Sequence, residues 1–147
     1  MARITAKLTS GMTVRLSNGR HDWIADEPLA AGGADTGPNP YELLLGSLAA
    51  CTCITISWYC QGKKLSLESV HATYDFSRVH IDDCKDCDNP KKGYIEKITS
   101  NVHIEGDFDE AQRKRLAQIA RRCPVHKTLA RGVAFEDNAT FGQGNEA

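Results

Sequence analysis

From Leu43 to Cys60 the chain carries no Asp, Glu, Lys or Arg, and that run constrains the fold more than any other stretch. It begins as a helix begins. Asn39 can accept a hydrogen bond from a free first-turn amide, Pro40 loses nothing at the first helical position, and Glu42 stands where a capping-box carboxylate reaches back. Gly62 supplies the expected stop. A helix without charge on any side is no ordinary surface helix, which leaves a bilayer or the inside of a protein. At about 18 residues the run just meets the length of a membrane span. Against the bilayer, Gly46, Ser47, Thr52, Thr55 and Ser57 dilute its hydrophobicity, and polar, alternating sequence flanks it on both sides. The expectation is a central helix wrapped by sheet, or buried further at a subunit interface, with Cys51 in its middle and out of bulk water.

The rest of the chain reads as casing for that helix. Residues 1–136 are expected to form one domain, long enough for a core of its own, and 137–147 a polar tail. With 18 Lys and Arg against 19 Asp and Glu the net charge is −1, so no electrostatic footprint points to nucleic acid or an anionic membrane. The start, Met-Ala-Arg-Ile-Thr-Ala-Lys, lacks an apolar secretory region, which predicts a cytoplasmic protein whose 6 cysteines stay reduced. Clustered cysteines in that compartment serve redox chemistry, catalysis or metal binding more often than structural disulfides.

Ile4, Ala6 and Leu8 alternate with polar residues, as do Met12, Val14 and Leu16, predicting two half-buried strands. Asn18-Gly19 is a two-residue hairpin signal that returns the chain through Arg20, His21, Trp23 and Ala25 as a third strand. Residues 26–38, rich in Gly, Pro, Ala and Asp, make a loop leading to the helix. Beyond Gly62, the series Val70, Ala72, Tyr74, Phe76 and the series Ile98, Val102, Ile104 predict an antiparallel pair, with the charged loop Asp82 to Lys92 between them. A second helix is expected from near Asp107, boxed by Glu110, to Arg122, where Cys123-Pro124 breaks it. Pro124 suits the start of a short helix, Val125 to Ala130, stopped by Gly132, and Val133 and Phe135 suggest a last strand. Three strands, a long helix, further strands and two shorter helices make an α+β fold.

The cysteines divide by environment. Cys123 falls at the start of the Pro124 helix, where free amides and the macrodipole favour a thiolate, and Arg121 and Arg122 add positive charge. His126 in the first turn can hydrogen-bond that sulfur or make half of a Cys-x-x-His metal pair; a core thiol at a helix junction is the plain alternative. For Cys51 two readings stand. It is a small core hydrophobe, inert because apolar burial raises a thiol's pKa, or a nucleophile reached by a cation or hydrogen bond. Helical rotation puts Ser47, Leu48, Thr55 and Trp58 near its face, and Cys53 and Cys60 together on another. Glu42 lies ~180° round and ~13 Å along the axis from Cys51, so it caps the helix unless another segment or a second subunit brings the groups together.

Cys84-Lys85-Asp86-Cys87 is a CxxC within an acidic loop. With His80 and His71 as third and fourth ligands it offers a cation site, the spacing alone also invites a redox reading, and a solvated loop without chemistry is the bland third. Asp82, Asp83, Asp86 and Asp88 disfavour thiolates there and favour a cation. His103 alternates outward on its strand, to solvent.

Ala25-Asp26-Glu27-Pro28, the run Gly37 to Leu45, Leu48-Ala49-Ala50-Cys51-Thr52 and Arg122-Cys123-Pro124-Val125-His126 together resemble the OsmC/Ohr family, in its OsmC-like branch, over most of residues 10–136. That resemblance implies an intertwined homodimer with the long helices packed at its centre under wrapped antiparallel sheets. It implies a thiol peroxidase that reduces small organic hydroperoxides, and often hydrogen peroxide, with no metal or flavin cofactor. Carried over by position, Cys51 is similar to the family's peroxidatic cysteine and Cys123 to its resolving one, with a dithiol such as dihydrolipoamide, or a thioredoxin-like protein, as reductant. The family activates its cysteine with an Arg after the first hairpin and a Glu at the start of the long helix. Arg20 matches the first in kind. The glutamate of the Ohr branch directly follows the Asn-Pro pair, where this chain has Tyr41, so Glu42 stands one residue, ~100° of helix, away from that position. The CxxC at Cys84 and Cys87 lies outside the family's motif set.

Two other classes of function fit the residues. One is a non-catalytic module of the same fold that binds a small apolar ligand, or a metal through Cys84, Cys87 and His80. The other is acyl transfer by Cys123 with His126 as base, for which the sequence offers no identifiable orienting acid or oxyanion hole.

Overall fold

The computed structural model describes residues 2–80 and 94–141. Strands β1 (Thr5–Ser10), β2 (Thr13–Ser17) and β3 (Asp22–Ala25) form an antiparallel meander in that order. Its second turn differs from the expected two-residue hairpin. Ser17 pairs with Asp22, so residues 18–21 all lie in the connection. The Asn18 side-chain oxygen accepts from the amides of Arg20 at 2.9 Å and His21 at 2.8 Å, and Gly19 takes a φ of 85° that strains any residue with a Cβ. Arg20 therefore belongs to a loop rather than a strand.

Asp26, buried at the end of the meander, fastens the loop that follows. Its carboxylate accepts from the hydroxyls of Thr13 and Thr36 and from the amides of Glu27 and Thr36. The Thr36 hydroxyl leads these bonds in holding its pKa down to about 2, against the opposing effect of burial. The loop delivers the chain to α1 (Pro40–Lys63).

The start of α1 is as the sequence predicts. The Glu42 amide donates to the Asn39 side chain at 3.0 Å, and the Asn39 amide donates to the Glu42 carboxylate at 2.8 Å. Gly62 does not end the helix. Lys64 does, in the left-handed region at φ 54°, with the Lys64 and Leu65 amides closing back on the Gln61 and Cys60 carbonyls. The physical reason lies one residue on, where Leu65 packs against the core and draws the chain inward.

A long hairpin, β4 (Ser66–His80) with β5 (Tyr94–Asp107), extends well beyond the alternation that predicted it. Helix α2 (Glu110–Ala120) is capped by Asp109 with Gln112, not by Asp107 with Glu110. Asp107 is instead the last rung of the ladder, opposite Ser66, and Phe108 turns into the core before the helix starts. Helix α3 (Pro124–Arg131) ends at Gly132 as expected. Among the described residues no strand follows it. Val133 and Phe135 are 52% and 84% exposed, so no apolar burial draws them into a ladder.

The α+β core sits where α1 crosses β4, β5 and α2. Leu48, Thr52, Ile56 and Cys60 recur every four residues along one buried stripe of α1. Ile56 and Cys60 join Phe108 and Leu116, with Val70, Val102, Ile104 and Ile119 around them. Tyr41 and Phe76 stack at 4.5 Å between centroids and pin the start of the helix to the sheet. By length and composition α1 would also cross a membrane, with a mean hydropathy of 1.6 over its best window, yet this stripe packs it as the core helix of a folded domain. In this chain the helix is not covered all round: Ile54 is 48% and Trp58 68% exposed on the opposite face.

Candidate active site

The two cysteines that the motifs single out, distant in sequence, meet at one helix end. Helix α3 starts at Pro124 because proline presets φ and needs no amide partner, and Cys123 becomes its N-cap. The Cys123 sulfur accepts a hydrogen bond from the His126 amide at 3.3 Å and is wholly buried. Cys51, from the middle of α1, brings its half-buried thiol beside Cys123 and faces the Val125 amide. At the first turn of α3 the His126 amide thus bonds the Cys123 sulfur, and the Val125 amide lies near Cys51.

Burial pushes the Cys51 thiol up, and the neighbouring Cys123 thiol pushes the same way; the Val125 amide and the Thr55 hydroxyl pull it down without prevailing. The Thr55 hydroxyl also donates to the Cys51 carbonyl at 2.7 Å. Cys60 is raised by burial alone, within the core, and Cys53 stays half-buried on the helix beyond it. Cys51, Cys53, Cys60 and Cys123 are all free thiols.

The remaining sequence-predicted residues are not brought to this pair. Glu42 is committed to its capping box at the start of α1, and Arg20 is exposed in the β2–β3 loop. The His126 backbone, rather than its ring, meets the Cys123 sulfur, so the geometry gives no base for acyl transfer there. Cys84 and Cys87 lie outside the described residues. His80 closes β4, whereas His71, nine residues earlier and ~30 Å up the strand, stands opposite His103. His103 points to solvent and meets Glu105 at 3.3 Å. Among the described residues, no three His, Cys, Asp or Glu side chains are placed to hold a metal ion.

Two contacts had no clear signal in the sequence. The Val125 amide reaches Cys51 only because α3 packs on α1, and Thr52, next to Cys51, shares a 2.8 Å hydrogen bond with the Tyr74 hydroxyl of β4. The second ties the cysteine-bearing turn to the sheet.

A sequence profile described as OsmC-like protein matches residues 32–137, a span that includes both cysteines. No curated protein matches the chain in sequence. Solved structures share its fold. An OsmC-like protein from Mycoplasma pneumoniae aligns over 88% of this chain and 87% of its own, at 22% identity and a TM-score of 0.68. An organic hydroperoxide resistance protein OsmC from Legionella pneumophila aligns over 86% and 87%, at 23% identity and a TM-score of 0.60. The organic hydroperoxide resistance protein OhrB of Bacillus subtilis aligns over 86% and 88%, at 22% identity and a TM-score of 0.57.

Proposed function

This chain belongs to the OsmC-like protein family, and from that membership and its paired thiols we propose that it is a cysteine-based peroxidase that reduces small organic hydroperoxides. The observation that carries the reading is the meeting of Cys51 and Cys123 at the first turn of α3. The names of the Legionella and Bacillus proteins, both organic hydroperoxide resistance proteins, support it.

The Cys51 thiolate attacks the distal peroxide oxygen. The O–O bond breaks, the leaving alkoxide takes a proton to become alcohol, and Cys51 is left as a sulfenic acid. Cys123, already beside it, condenses with the sulfenic sulfur, releasing water and forming a disulfide. A dithiol, dihydrolipoamide or a thioredoxin-like protein, then reduces that bond and is itself oxidised. No step draws on a metal or flavin. The chain works as a homodimer in the reducing cytoplasm. The second copy covers the exposed face of α1 and carries the cation, Arg20 of one chain or the other, to the raised Cys51 thiol.

Peroxide consumption by the reduced protein tests the assignment. Cys51→Ser is expected to lower turnover of cumene or tert-butyl hydroperoxide by about 100-fold or more, since the nucleophile itself is removed. Wild-type turnover in that variant would place the chemistry elsewhere.

A further inference from the structure

A cavity of about 360 Å³ opens between the inner face of the β4–β5 hairpin and α2, and neither Cys51 nor Cys123 lines it. We infer that it binds an anionic amphiphile, a carboxylate carried on an apolar chain. Its volume falls in the range of small-molecule sites, which pair an apolar lining with a few polar groups that fix orientation.

The floor is apolar. Val102, Ile104 and Phe108 form it from β5 and the residue beyond, and Leu116, Ala117 and Ala120 from α2. The two alanines keep the space open: Ala117 is exposed and Ala120 half-buried, where longer side chains would close it.

The rim is cationic. Arg113 and Arg121 flank the apolar patch of α2, His126 adds a third nitrogen group from α3, and among the described residues no Asp or Glu lines this cavity. The Arg113 Nε donates to the Phe108 carbonyl at 3.0 Å, which holds that guanidinium in place before a ligand arrives. A planar fork of N–H donors matches a carboxylate better than it matches a hydroxyl or an ammonium group.

The neighbouring space sets the direction of the ligand. A second cavity of about 250 Å³ shares Tyr74, Ser100 and His126 with the first and continues past Leu48, Ile98 and Leu129. Glu96 stands at this end. Glu96 is paired with Arg78 at 3.4 Å, so an anionic head is drawn to Arg113 and Arg121, and the apolar tail runs past Leu48, Ile98 and Leu129 beneath α3. This site stands whether or not the thiols reduce peroxides.

Calorimetric titration of the full chain with decanoate, decanol and decyltrimethylammonium, each below its micelle concentration, tests the inference directly. Decanoate should bind saturably at one site per chain, with the alcohol and the cation weaker by about tenfold or more. Arg121→Gln, an exposed position just past α2, should weaken decanoate by about tenfold and leave decanol unchanged. Ala117→Trp should fill the cavity and abolish binding of all three, with thermal unfolding verifying that both variants fold. Decanol binding as tightly as decanoate, wild-type decanoate binding in either folded variant, or no saturable binding by the wild type would each overturn it.

Discussion

At the scale of residues, Cys51 carries the tension of this molecule. Burial raises its thiol above the ordinary value of 9.0, whereas a peroxidatic cysteine has to ionise readily. A raised pKa leaves less thiolate near neutrality, so the rate of attack on peroxide should climb with pH toward and beyond 9.0 for the chain by itself. If Arg20 reaches Cys51 in the assembled protein, it favours the thiolate and brings that climb to lower pH. Wild type is then expected to complete its rise about 1–3 pH units below Arg20→Ala. Stopped-flow peroxide reduction across pH 5–10 checks this, and superimposable profiles would remove Arg20 from the mechanism. The sequence made Cys123 legible, since Pro124 announces the helix whose amides meet its sulfur. It left Cys51 open between core thiol and nucleophile, because the Val125 amide that meets it comes from a tertiary contact.

At the scale of elements, periodicity located nearly everything and misplaced the ends. The capping box of Asn39 and Glu42 is local chemistry and was readable as such. The end of α1 and the start of α2 depend instead on Leu65 and Phe108 turning into the core, which no local signal records. The same core explains why α1 holds its position: Ile56 is fully buried and packs in one cluster with Cys60, Phe108 and Leu116. Ile56→Ala should cost about 2–5 kcal/mol of stability, removing transfer energy and leaving a cavity. Urea unfolding measures it. A loss under about 0.5 kcal/mol, the size of an ordinary surface change, would show that this crossing is not the core.

At the scale of the whole molecule, large apolar side chains on several elements are left exposed. Leu8 on β1 is 63% exposed, Ile54 and Trp58 face outward from α1, and Phe135 is 84% exposed. An apolar face of this kind marks an interaction surface, and the proposed homodimer would cover it. Sedimentation velocity is expected to give twice the chain mass for wild type and a monomer for Trp58→Asp, with peroxidase activity falling alongside. A wild-type monomer at micromolar concentration would contradict the assembly. The charge-free run Leu43–Cys60 already demanded cover on every side, and one chain supplies it on one.

The central claim is that Cys51 and Cys123 act as a redox pair. The most direct test treats reduced protein with one equivalent of tert-butyl hydroperoxide, blocks the free thiols and maps the cysteines by peptide mass spectrometry. A disulfide joining Cys51 to Cys123 within seconds is the expected result. Both cysteines still alkylated, whether Cys84 and Cys87 had oxidised in their place or nothing had reacted, would contradict it.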